Sequence, residues 1–200
     1  MQPHLSSPIV TYTLMGICIV VALFTNVGKS NPDLVMSLMI DNPLSRQPQQ
    51  LWQTQPWRLI TPIFLHFGFL HILFNLLWLN MLGKSLESFF GASRLLLVVM
   101  ISGLAGNLAE YVATGPGFGG LSGVVYGLLG YFWLYSQQHP QGPLRMPFFI
   151  LAQMLLWFFL CWSGFIGQIA NYAHTGGLVA GLILGTIDAK RDRQFRQRTR

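Results

Sequence analysis

Two stretches of the chain hold residues able to do covalent chemistry. GGLSGVVYG at 119–127 sets Ser122 among glycines, and NYAHTGGLVAG at 171–181 carries His174. A serine hydroxyl is a weak nucleophile until a base takes its proton, and imidazole is the usual base near neutral pH. Ser122 and His174 therefore form a candidate dyad for acyl transfer. Such a reaction also needs donors for the oxyanion of its tetrahedral intermediate. Ser122 opens an apolar run just after a Gly-rich turn, so its own backbone N–H is free at a helix N-terminus and assisted by the helix dipole. His71 and Asn75, in HFGFLHILFN at 66–75, can add side-chain donors. Gly119 and Gly120 would let a substrate backbone approach closely, with a plain loop role as the alternative.

The elements that must hold these residues are apolar helices. The chain has 200 residues, of which 52% are hydrophobic and only 9% charged, and its mean hydropathy is +0.48. An ordinary soluble domain is about a quarter charged. A bilayer crossing takes about 20 mostly apolar residues, and six stretches approach that, at roughly 8–27, 66–83, 95–113, 121–136, 147–163 and 168–187. The expected fold class is thus an all-α membrane protein of six transmembrane helices. The first stretch is too long for a signal-peptide core and has no small-residue cleavage pattern after it, so it is expected to be retained. Cys18 and Cys161 both fall inside spans, which leaves no disulfide framework and no metal-type spacing. The histidines are not clustered with Cys or carboxylates at ligand distances, so neither metal nor cofactor is expected.

Charge orients the bundle. Lys190, Arg191, Arg193, Arg196, Arg198 and Arg200 follow the last span, and by the positive-inside rule that end is cytoplasmic. Six crossings then put the N-terminus on the same side, together with Lys84, Arg94 and Arg145; Lys29, Arg46 and Arg58 fall outside. A pI near 9.8 accordingly reports topology and contact with an anionic lipid bilayer, and no nucleic-acid partner is expected. The outer connection at 28–65 is long and apolar enough to lie semi-submerged in the membrane surface, with Trp52 and Trp57 as interfacial anchors. Residues 1–188 read as the membrane domain and 189–200 as a basic cytoplasmic tail.

Polar residues within spans are costly and so mark candidate sites: His66, His71 and Asn75 in the second, Asn107 and Glu110 in the third, Ser122 in the fourth, Asn171 and His174 in the sixth. Each alone has a plain reading as a helix-to-helix hydrogen bond, and Glu110 as a span-end residue reaching the interface. Depth groups three of them. At 1.5 Å rise per residue, His71 to Lys84, Ser122 to Ser136 and His174 to Asp188 are each ~20 Å, so His71, Ser122 and His174 share one level, some 10 Å below the outer surface of a 30 Å layer. No carboxylate shares it. Tyr126, at i+4 from Ser122, lies on the serine's face, where its ring can support the imidazole from below. Ala173, Gly177, Gly181 and Gly185 form a small-residue ridge that lets membrane helices touch backbone to backbone, which would bring His174 to the fourth span.

At Trp57-Arg58, HFGFLHILFN, GGLSGVVYG and AHTGGLVAG the chain resembles the rhomboid family of intramembrane serine proteases, most closely its bacterial GlpG-type members, over essentially all of 8–188. The resemblance implies a serine endopeptidase in a bacterial inner membrane that cuts transmembrane protein substrates. It implies Ser122 as nucleophile, His174 as general base, and His71, Asn75 and the Ser122 amide as oxyanion donors. It implies further that His66 helps maintain a water-accessible cavity, that Tyr126 packs under His174, and that Glu87 is a structural carboxylate; a solvated loop charge is the alternative for Glu87. Many GlpG-type members carry a soluble cytoplasmic domain before the first span, and only seven residues stand there in this sequence. Competing classes are a catalytically silent rhomboid-like protein that binds membrane helices, and a small transporter whose buried His and Asn line a polar path.

Overall fold

The computed structural model describes residues 7–45, 49–142 and 144–198, with side chains described as far as 194. Of the basic residues used for orientation, Arg46 and Arg200 lie outside the described residues, as do the side chains of Arg196 and Arg198.

The described residues are helical without a strand. The helix α1 (Ile9–Phe24) is apolar and begins right after Pro8, where its first N–H groups have no partner within the helix. Glu87 supplies one from far along the chain: its carboxylate accepts the Val10 and Thr11 amides, each at 2.8 Å, and the Thr11 hydroxyl at 2.7 Å. Glu87 is buried. It is therefore a structural carboxylate capping α1, and the solvated-charge alternative falls away.

The connection between the first two long helices folds as a short helix α2 (Pro32–Leu38) followed by three 3-10 turns at Leu51–Gln53, Pro56–Leu59 and Thr61–Phe64. Pro32 and Pro56 open two of these elements and Pro62 is second in a third, as expected of a residue that lacks the N–H a first turn cannot use. Polar side chains then tie the turns down. The buried Arg58 donates to the carbonyls of Met36 and Met39 at 2.7 and 2.8 Å, and Thr61 to that of Leu38 at 2.8 Å. Asp41 accepts the Tyr111 hydroxyl at 2.7 Å and the Gln50 amide at 2.8 Å. Burial pushes the Asp41 carboxyl up, but hydrogen bonds from Tyr111 and the Asn42, Gln50 and Leu51 amides outweigh it and hold the group below the usual carboxylate value. Trp57 is exposed whereas Arg58 is buried, so this pair divides an outward anchor from an inward clamp.

The second long helix runs continuously over Phe69–Phe90, as α3 (Phe69–Trp78), a π turn (Leu79–Gly83) and α4 (Lys84–Phe90). It starts three residues later than the hydropathy suggests. Gly68 has φ +120°, a conformation closed to other residues, and it sets His66 in the turn before the helix instead of on it. The remaining helices are α5 (Ala92–Thr114), α6 (Ser122–Gln138), α7 (Phe148–Trp162) and α8 (Asn171–Arg198). Phe69–Phe90 and Ala92–Thr114 are each long and apolar enough to cross a membrane; α1 and α7 are apolar but shorter, at 16 and 15 residues. Large apolar side chains such as Leu23, Leu70, Leu77, Leu96, Phe149 and Phe159 face outward, a surface suited to lipid and costly in water.

The interior is organised around α6, whose residues from Gly123 to Phe132 are all buried. It packs on α8 through glycine. A Cβ added at Gly177, Gly181 or Gly185 would run into the carbonyl oxygens of Gly123, Gly127 and Tyr131 respectively. Helices this close gain dispersion and Cα–H to carbonyl contacts in place of side-chain packing. Across α5 the same device recurs, since a Cβ on Gly176 would meet the Ala105 carbonyl at 2.7 Å. The α8 helix passes residue 188 without a break. There Asp188 accepts the Tyr131 hydroxyl at 2.6 Å and pairs with Arg94 at 3.1 Å, while Asp192 accepts the Tyr135 hydroxyl at 2.6 Å.

Candidate active site

Ser122 is the first residue of α6 and His174 lies in the first turn of α8. The glycine contact brings the two helix starts together, with Ser122 Oγ and His174 Nε2 hydrogen-bonded at 2.8 Å. With Nε2 as the acceptor tautomer, this is the geometry in which imidazole can take a hydroxyl proton. The Tyr126 ring lies against the imidazole, centroids 4.6 Å apart and planes at 39°. A further ring, Phe158, meets Tyr126 edge to face at 5.3 Å.

His174 Nδ1 is buried without a hydrogen-bond partner among the described residues. No carboxylate orients this ring as the third member of a triad would; the Tyr126 ring and the packing of α8 hold it. Glu110 is close by and serves the backbone instead. It is buried, contrary to the expectation that it would reach the interface, and it accepts the Ala173 amide at 3.0 Å and the Thr114 hydroxyl at 2.7 Å. Glu110 thus supplies a free N–H of the first α8 turn with an acceptor, one residue before His174. Nothing in the sequence marks that role, because the pairing joins residues 63 apart.

The turn before Ser122 is held from the connection between the first two long helices. The Gly120 amide donates to the Pro62 carbonyl at 2.9 Å. His66 bridges the same two segments, with Nδ1 3.2 Å from the Phe64 carbonyl and Nε2 accepting the Leu121 amide at 3.4 Å. Its side chain is wholly buried, and both of its ring hydrogen bonds go to backbone. The His66 and His71 rings meet edge to face at 5.1 Å. Gly120 has φ +131°, and a Cβ there would lie 2.6 Å from His71 Nε2; this glycine is required both by its backbone conformation and by the imidazole seated on it. At Gly119 a Cβ would lie 2.7 Å from that of Leu65, so the loop glycines admit neighbouring segments of the protein itself.

Asn75 sits one turn below His71 and donates through Nδ2 to the His71 carbonyl at 2.9 Å. The amide group has a second hydrogen, which remains to be given elsewhere. His71, Gly120, Ser122 and His174 are therefore gathered at one end of the bundle, with Asn75 a turn deeper. Among the described residues no group of His, Cys, Asp or Glu side chains is arranged to hold a metal ion.

The neighbouring wall is α7. Of its residues only Met154 and Cys161 are buried. It touches α3 through Trp157 and Phe74, ring centroids 6.5 Å apart, and α6 through the Tyr126 hydroxyl, 3.4 Å from the Met154 carbonyl.

Comparison with known proteins places this chain in a family. The profile described as Rhomboid domain matches residues 53–191, more than half of the chain. The sequence is 36% identical to Rhomboid protease GlpG of Klebsiella pneumoniae subsp. pneumoniae over 166 residues, covering 78% of this chain and 60% of that protein. It is 38% identical to Rhomboid protease GlpG of Pectobacterium atrosepticum over 177 residues, covering 88% and 62%. For the protein of the same name from Salmonella paratyphi A the figures are 36% over 189 residues, covering 90% and 63%. The chain spans less than two thirds of the length of these relatives. On the match of this profile over most of the chain and of these sequences, the chain belongs to the rhomboid family of integral membrane proteins.

Proposed function

We propose that the protein is an intramembrane serine endopeptidase that hydrolyses peptide bonds in or near the transmembrane segments of membrane-protein substrates. The observation that carries this reading is the 2.8 Å hydrogen bond between Ser122 Oγ and His174 Nε2 in a member of the rhomboid family. Ser122 Oγ attacks the scissile carbonyl as its proton passes to His174 Nε2. The oxyanion that forms receives hydrogen bonds from the Ser122 amide, His71 and Asn75. Collapse of the intermediate expels the amine, which takes the proton from His174. Water, deprotonated by the same imidazole, then releases the acyl group from Ser122. Tyr126 keeps the imidazole in place through both steps, while His66 and Gly120 hold the turn that presents Ser122 and receives His71.

In this reading the six long helices each cross the bilayer, the outer connection lies semi-submerged, residues 1–188 form the protease domain, and the basic segment 189–200 keeps both termini in the cytoplasm of a bacterial inner membrane. Substrate enters sideways between α3 and α7, where Trp157 and Phe74 meet. The decisive experiment is cleavage of a reconstituted transmembrane substrate by wild type, Ser122→Ala and His174→Ala. Both variants should insert and fold yet show no cleavage, because each removes half of a unit. Comparable cleavage by either purified variant would remove the dyad, and a wild type that binds such helices without cutting them would favour the silent binding protein.

A further inference from the structure

The outer end of α7 has little to hold it. The connection from Ser163 to Gln168 is exposed throughout, and Gly164 and Gly167 adopt φ +80° and +94° within it. The final carbonyls of a helix have no acceptor role inside the helix, and one of these, that of Cys161, receives the Asn171 Nδ2 at 3.1 Å. Asn171 is the first residue of α8, one turn before His174. Its Oδ1 is buried with no hydrogen-bond partner among the described residues, so the bond to Cys161 is the one its side chain makes. The half-exposed rings of Trp162 and Tyr172, 5.2 Å apart, close over the same junction.

From this we infer that Asn171 is a positioning residue, a latch that fixes the outer end of α7 to the helix carrying the catalytic histidine and thereby sets how readily a substrate helix enters. The inference rests on the protease reading for its consequence and on geometry alone for the latch. Breaking one net hydrogen bond shifts an open-to-closed equilibrium by roughly two- to tenfold. The latch therefore changes the population of an open α7 without disturbing Ser122 or His174.

The chain contains its own reporters. Cys161 is buried beneath the latch and Cys18 is buried on α1, away from it. In the full protein reconstituted in lipid, N-ethylmaleimide modification of each cysteine can be followed by peptide mass. In Asn171→Ala, Cys161 should react roughly two- to tenfold faster than in wild type while Cys18 keeps its rate. Asn171→Asp, which keeps the shape but loses the donor, should behave alike and serves if the alanine variant does not fold. On a transmembrane substrate stiffened by Leu-Leu near the cut, both variants should show a lower KM with kcat unchanged. Equal Cys161 rates in wild type and variants would overturn the latch, and so would a parallel rise at Cys18, which signals general loosening. Because thiol modification needs no proteolysis, a faster Cys161 in a protein that never cleaves would uphold the latch and sink the protease reading.

Discussion

The two walls that meet at Ser122 are built on opposite principles. Between α6 and α8 the glycines at 177, 181 and 185 stand on backbone carbonyls of the facing helix, leaving no room for a methyl group. The contact between α7 and its neighbours is made by side chains: the buried Met154, the partly buried Ile150, Leu151 and Leu155, a few rings, one long hydroxyl bond and one amide bond. Backbone-to-backbone packing has no rotamers to relax, so the wall that holds the proposed nucleophile and base is stiff. Side-chain contacts between half-exposed rings can part and re-form, so the other wall can move. Hydrolysis of a membrane helix asks for both: fixed reacting groups, and a path wide enough for a helix to reach them.

The strongest test of this contrast is a methyl-bearing residue in the stiff wall. Gly181→Val would drive its side chain into the Gly127 carbonyl; we expect abolished cleavage and a loss of about 3 kcal/mol or more, since overpacking a fitted core alone costs up to about that much. Leu156→Val on the exposed face of α7 should change stability by less than about 0.5 kcal/mol. Thermal unfolding in detergent, with cleavage rates alongside, measures both. Equal losses at the two positions would erase the distinction between the walls.

On α3, outside the glycine contact, Asn75→Ala separates chemistry from packing. Removing one oxyanion donor can slow acyl transfer by ~10²–10³, with the Ser122 amide and His71 left to sustain the remainder. The readout is kcat/KM on several substrates, and a rate equal to wild type on all of them would take Asn75 out of the site.

The movable wall is probed better through the substrate. A helix-breaking pair near the cut lets the backbone unwind before attack, since Gly and Pro cost a helix ~1 and ~3 kcal/mol relative to Ala. Replacing the pair with Leu-Leu should slow cleavage several-fold to about a hundredfold, and enlarging the residue before the scissile bond to Phe should slow it as well. If both variant substrates are cut at the parent rate at equal membrane concentration, selectivity does not arise at this wall.

The smallest effect is expected at the connection between the first two long helices. Hydrogen bonding holds the Asp41 carboxyl below its usual value, so the stability it lends is present above the unfolded carboxyl value of about 4 and is lost as pH falls through the lower folded one. Protection factors of the amides at 41–45 and 49–58, from which the intrinsic pH dependence of exchange has been divided out, should therefore be steady from neutrality down to about pH 4 and fall below it. Asp41→Asn should flatten that acid limb, and an unchanged limb would assign it to another group.

Much of this organisation is legible in the residues alone, because hydropathy and helical period are local properties. The apolar runs mark the helix starts to within three residues, although the second and sixth long helices continue well past the ends of their runs, to Phe90 and Arg198; the i, i+4 spacing puts Tyr126 on the face of Ser122, and the Ala173 to Gly185 ridge announces a helix that must be approached closely. The start of the second long helix shows where this fails: hydropathy runs through 66–68, and only the backbone conformation of Gly68 moves His66 off the helix. Other features depend on pairings between distant residues, which no local pattern encodes. That Glu87 caps α1, that Glu110 serves the first turn of α8 instead of the interface, that Arg58 turns inward while Trp57 faces out, and that Gly120 makes room for His71 were all decided by the tertiary structure. The reason is common to them: a polar group without water must find its partner wherever packing places one, and the packing is set by the whole bundle.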